Sequence, residues 1–203
     1  MFFKKIATLL LIAAVVYPLA AQMIFPRFTV DDAYITFRYA ENLALHGELN
    51  WNVGENPVEG YTGAALPVLL AGFIKLVIAP EQASRYIGIF FFWVGWLMLF
   101  LIAKKIKLPA TGLGGVMILY ATTPILFTHS FSGMETMMFL AAALAAICAL
   151  IYGADIWFFA ALLFAGLARP EGAALAVFFI LAAGLVKRVY FPDEFNRFIK
   201  NFV

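Results

Sequence analysis

Apolar runs approaching the length of a membrane span recur along this chain, separated by short polar or charged turns. A helix needs about 20 apolar residues to cross a hydrocarbon core of about 30 Å. On that measure the candidate spans are 6–24, 85–103, 108–128, 133–152, 155–168 and 172–186. A soluble fold would have to hide all six in one core beneath a surface rich in charge. Of the 203 residues, however, 65% are hydrophobic and only 13% charged, against about 25% charged in ordinary soluble domains. The expected fold class is therefore an all-α integral membrane protein of six transmembrane helices, with amphipathic juxtamembrane helices in a long first outer loop.

Charge placement orients the spans. With six crossings, Lys4 and Lys5, Lys104, Lys105 and Lys107, and Lys187 with Arg188 all fall on one face, which the positive-inside rule makes cytoplasmic. A seventh apolar stretch at 63–79 holds Pro67 and Lys75 and reads as a helix along the outer surface with Lys75 snorkelling. Counting it as a span is the alternative, and would carry the Lys104 cluster to the outer face. Lys4 and Lys5 ahead of an apolar run ending at Ala20 and Ala21 resemble a secretory signal, but the run is long enough to span and retention is expected. The fifth segment, with about 13 apolar residues, covers only about 20 Å. With the Arg169-Pro170-Glu171-Gly172 turn that follows, it predicts a short hairpin whose polar turn faces a cavity open to the outer side.

These spans organise the chain into a transmembrane core over 1–190, containing the outer loop at 25–84, and a tail over 191–203. Phe195, Phe198 and Phe202 with Arg197 and Lys200 give that tail an amphipathic character, as a cytoplasmic surface helix or the start of a further C-terminal part. The lone Cys148 permits neither an internal disulfide nor a cysteine metal cluster. A net charge of +2 with dispersed basic residues argues against a nucleic-acid partner.

The outer loop over 25–63 carries adjacent carboxylates, Asp31 and Asp32, just beyond the membrane exit. Thr29 or Asp31 can cap a helix through Ala44, with Tyr34, Phe37 and Arg38 on one face and Gly47 ending it. The plain reading leaves both acids as caps favoured by the positive end of the helix. The chemical reading divides them: one carboxylate takes a proton from an incoming hydroxyl and the other orients a ligand or a cation.

Asp31-Asp32-Ala33-Tyr34-Ile35 with Phe37-Arg38-Tyr39-Ala40, then Asn52, Gly54, Glu55 and Val58-Glu59-Gly60-Tyr61-Thr62, resembles the bacterial polyprenyl-phosphate-dependent GT-C glycosyltransferases. The mycobacterial terminal arabinofuranosyltransferases are the closest in pattern. Ser132-Gly133-Met134-Glu135-Thr136 and Ala168-Arg169-Pro170-Glu171-Gly172 agree in the same order. The resemblance implies a GT-C-like core in the cell inner (plasma) membrane, multi-pass, with a cytoplasmic N-terminus and an outward active site. The implied donor is a sugar on a polyprenyl phosphate and the acceptor an outer-face glycan, lipid or protein. Family members are usually longer, so a missing C-terminal module or partner subunit is also implied.

On this reading the base is Asp31 or Asp32, with Asp32 preferred as the residue further into the cap. Arg169 is the candidate for the leaving phosphate, because a guanidinium fork matches phosphate oxygens, with Arg38 as a further cation. An Arg169–Glu171 structural pair is the plain alternative. Glu135, costly on an apolar helix unless it meets a cation or cavity, is expected to line the site with Tyr34, Glu59, Tyr61 and Glu171. His46 reads as a helix end, His129 as an interfacial residue, and Trp51 as an interfacial or sugar-stacking ring. No cofactor is required; a divalent cation is compatible with the acidic pair, and its ligands are unknown. The competing classes are a transporter or flippase of lipid-linked sugars and a non-catalytic assembly subunit.

Overall fold

A computed structural model describes residues 2–24 and 28–190, so the tail expectation over 191–203 lies outside the described residues. Nine helices and no strand form the described chain, as the all-α expectation requires. Two of them, α1 (Phe2–Ile24) and α4 (Pro80–Lys105), are long and apolar enough to cross a membrane. The remaining apolar helices are α3 (Ala65–Lys75), α5 (Ala110–Thr122), α7 (Thr136–Tyr152), α8 (Asp155–Ala168) and α9 (Glu171–Tyr190). Except for α9 they have 17 residues or fewer, and the apolar part of α9, Glu171–Leu185, is equally short.

Two expected boundaries are corrected. The segment expected at 108–128 is broken at Thr123, where the residue ahead of Pro124 is extended (φ −67°, ψ 113°), and the chain restarts as α6 (Pro124–His129). The segment expected at 85–103 begins earlier, because Pro80 takes the first helical position and needs no N–H partner there. Glu81, Gln82 and Arg85 thus become a polar first turn of α4.

The bundle has two distinct ends. At the first, α2 (Asp32–His46) and α3 lie across the heads of α4 and α7 and the end of α8, with Ala33, Phe37, Leu66, Leu70, Ile87 and Ala168 in one buried cluster. At the second, Lys105 stacks on Tyr152 (4.8 Å), whose hydroxyl donates to the Leu101 carbonyl (3.3 Å). Between them α1 packs along α5, with Ala14, Met117 and Ala121 buried, while Tyr120 donates to the Phe92 carbonyl (2.9 Å). The stretch before α3 touches the end of α8 at Gly63, and its exit at Leu76–Ala79 leads directly into the head of α4. Helix α3 therefore returns to the end from which it starts.

At the second end Lys187 departs from its expected role as an exposed flanking charge. Its Nζ lies 2.7 Å from Asp155 Oδ1, with both side chains under 10% exposed, so the pair fastens α9 to the head of α8. A pair separated by 32 residues has no local sequence signature. Among the described residues, the other surface cations at this end are those of Lys4, Lys5, Lys104, Lys105, Lys107 and Arg188.

Candidate functional site

The site end is assembled around helix α2. Asp31 caps it, its carboxylate accepting from the Asp32 amide (3.1 Å), and Gly47 closes it in the left-handed region (φ 76°) with its N–H donating to the Leu43 carbonyl. The expected start and stop both hold. The two carboxylates thereby acquire different surroundings: Asp31 is engaged by the helix head, whereas Asp32 is exposed and accepts no hydrogen bond among the described residues.

Beyond Gly47 the loop is ordered by amides. Asn50, buried, accepts from the Trp51 and Val58 N–H groups through Oδ1 and donates to the Asn52 and Glu55 carbonyls. Asn42 reaches across from α2 to the Asn50 and Trp51 carbonyls. Sequence reasoning passed over both residues, although a run of Asn and Gly is the composition of side-chain-closed turns. Arg38, expected as a phosphate ligand, belongs to this knot. Its guanidinium donates to the Trp51 carbonyl (2.9 Å) and Asn52 Oδ1 (2.7 Å) and covers the Trp51 ring at 4.2 Å. Trp51 is correspondingly occupied on that face.

Tyr39, almost fully buried, ties the knot to the 58–62 segment by donating to the Val58 carbonyl (2.7 Å) and packing edge-on to Tyr61 (5.0 Å). Partial burial, with the neighbouring Glu59 charge and Tyr39, pushes the Tyr61 phenol above its ordinary value, so it remains a hydroxyl donor. Glu59 and Tyr34 are exposed, and Tyr34 packs edge-on to Phe37.

Three separate stretches converge beside this loop. The Val30 N–H donates to the Ser132 carbonyl (3.0 Å), one residue ahead of Asp31 and three ahead of Glu135. Glu135, 2% exposed, lies 3.3 Å from one terminal nitrogen of Arg169. That contact is an ion pair without hydrogen-bond alignment, because Glu135 Oε1 accepts no hydrogen bond. The rest of the Arg169 fork holds both oxygens of Glu171, at 3.2 and 3.3 Å. These bonds, more than the Glu135 charge, keep the Arg169 guanidinium above even its ordinary high value, so it is permanently charged. The structural-pair and site readings of Arg169 therefore coexist: Glu135 is buried on one side of it and Glu171 stands exposed on the other.

Two surface depressions meet along the seam of α2 and α4. One, about 120 Å³, is lined by Thr29, Glu81, Gln82, Arg85 and Tyr86. The other, about 340 Å³, is lined by Tyr34, Phe37, Arg38 and Glu41 among others, and Glu81 belongs to both. Asp31 and Asp32 lie in the chain between Thr29 and Tyr34, and neither lines either depression. His129 faces the Ser132 hydroxyl (3.5 Å) and His46 is an exposed helix end. Among the described residues, no three His, Cys, Asp or Glu side chains are grouped to hold a metal ion. Comparison with known protein families, curated proteins and solved structures finds no match to this chain.

Proposed function

We propose that this chain is the GT-C-like membrane core of a glycosyltransferase, crossing the bilayer with α1, α4, α5–α6, α7, α8 and α9, and moving a sugar from a polyprenyl phosphate to an outer-face acceptor. One observation carries the reading. The stretches that bear the resemblance, at 31–40, 52–62, 132–136 and 168–172, are scattered through the sequence but gather at one end of the bundle through the Val30–Ser132, Tyr39–Val58 and Glu135–Arg169 contacts. Exposed Asp32, buried Glu135 and permanently charged Arg169 belong to these same stretches.

In the proposed reaction Asp32 accepts the proton of the acceptor hydroxyl, and that oxygen bonds to the anomeric carbon. The bond from this carbon to the phosphate oxygen breaks, and its electron pair leaves with the polyprenyl phosphate. Glu135 fixes Arg169 from below, while exposed Glu171 occupies the side of the fork that an incoming phosphate would take. Exchange of one anion for another costs little charge imbalance and gives the leaving group a bidentate partner.

Transfer from a synthetic polyprenyl-phosphate sugar by the purified chain tests this. Asp32→Asn is expected to lower turnover about 10²- to 10⁴-fold, the range for loss of a general base. Asp31→Asn keeps a competent cap and should cost far less. Near-normal turnover in both variants would remove the base assignment, and lipid movement without bond formation would favour the transporter class.

A further inference from the structure

The opposite end of the bundle carries an apolar groove of about 470 Å³ between α4, α7 and α8, walled by Met98, Leu101, Cys148, Tyr152 and Trp157. Tyr152 forms part of its rim, and Lys105 lies directly over that ring. The exit of α4 holds more charge in the same place. The Lys107 N–H donates to the Lys104 carbonyl and the Leu108 N–H to the Ala103 carbonyl, a helix stop that gathers Lys104, Lys105 and Lys107 within one turn. Lys107 occupies the left-handed position (φ 58°) where glycine would be cheaper. Val77 takes the same conformation (φ 63°) at the stop of α3, so the backbone there serves the turn and not the charge.

We infer that this groove seats one acyl chain of an anionic phospholipid, with the lipid phosphate held by Lys105 and its neighbours. Charge complementarity selects this occupant. An apolar wall with the Lys105 ammonium over its Tyr152 rim matches a hydrocarbon tail joined to an anionic headgroup, whereas a packing helix or a second copy would leave that ammonium beside an apolar contact unmatched. The inference rests on the proposed membrane crossing and not on glycosyl transfer, because the groove and the Asp32 end lie at opposite ends of the bundle.

The test is native mass spectrometry of the full chain released from nanodiscs of equal phosphatidylglycerol and phosphatidylcholine. The wild type is expected to retain one phosphatidylglycerol in preference to phosphatidylcholine. Lys105→Gln, a surface change that should leave the melting temperature unaltered, should weaken that preference about fivefold, the value of one basic residue at an anionic surface. Ala160→Phe, which fills the groove from its exposed side, should displace both lipids. Equal retention of the two lipids, an unchanged preference in Lys105→Gln, or a dimer covering the groove would overturn the site while leaving the crossing intact. A chain that fails to enter the nanodisc at all would overturn the crossing as well.

Discussion

Arg169 is placed to separate a structural from a chemical role, because its two carboxylate partners differ in burial: Glu135 is 3% exposed at its side chain and Glu171 61%. Removing a cation from a buried carboxylate costs about 3–5 kcal/mol, whereas an exposed pair contributes about 1 kcal/mol or less. Arg169→Ala is therefore expected to lower the melting temperature sharply, Glu135→Gln to rescue much of that loss in the double variant, and Glu171→Gln to leave stability nearly unchanged. Arg169→Lys keeps the charge but loses the planar fork. If the phosphate role holds, transfer should fall at least tenfold in that variant while its melting temperature stays within a few degrees of the wild type. Equal losses of stability and transfer across all four variants would reduce Arg169 to a strut. The Arg169–Glu171 half of this cluster was legible from a spacing of two residues. The Glu135 half was legible only as a requirement for some partner, since burial of a lone carboxylate demands a cation without naming which one.

Helix α2 shows how local signals survive folding. Thr29 or Asp31 and Gly47 mark its ends in the sequence, and the structure uses Asp31 and Gly47, because caps answer to backbone groups a few residues away. Gly47→Ala would force a Cβ into the left-handed region and is expected to cost about 1 kcal/mol, seen as a small drop in melting temperature with transfer intact. Gly63 is a different case. Its own backbone is unremarkable, but a Cβ there would overlap the Ala168 carbonyl, the residue that delivers Arg169. Backbone cannot yield as a side-chain tip can, so Gly63→Ala should cost about 1–3 kcal/mol and displace the Arg169 turn from the loop. Transfer is expected to fall more than stability, and chemical-shift or cross-linking changes confined to 168–172 would confirm the route. No sequence pattern marks that approach, since Gly63 precedes α3 in a stretch already rich in turn residues. Pro124 and Pro80, by contrast, were visible breakers. The spans expected at 85–103 and 108–128 take no account of either.

At the scale of the whole molecule, the decisive quantity is how often the chain crosses. Only α1 and α4 satisfy the length criterion alone, so hydropathy by itself supports two crossings. The six crossings proposed above would further require α5 through α9 to run between the two ends that α1 and α4 join. Tyr152 reaches Leu101 at one end, and Glu135 reaches Arg169 at the other. Under that proposal the short helices would be accommodated by local thinning of the bilayer at a modest cost per ångström of mismatch. Helix α3 starts beside Ala168 and finishes at the head of α4, which within the proposed topology favours six crossings over seven. Lys187 carries less weight in the orientation than its place in the sequence suggests, because Asp155 neutralises it, yet Lys104, Lys105 and Lys107 leave the sign unchanged. The expected outcome is therefore specific. In a Cys148→Ala background, a cysteine placed at Glu59 should be labelled by a membrane-impermeant maleimide on intact cells, and one placed at Lys105 should be labelled only after the membrane is opened. Labelling of both from outside would require an odd number of crossings between them beyond α4, making α3 a true span. Labelling of neither on intact cells, with both exposed on lysis, would place the carboxylate loop in the cytoplasm, where a base facing an outer acceptor could not act.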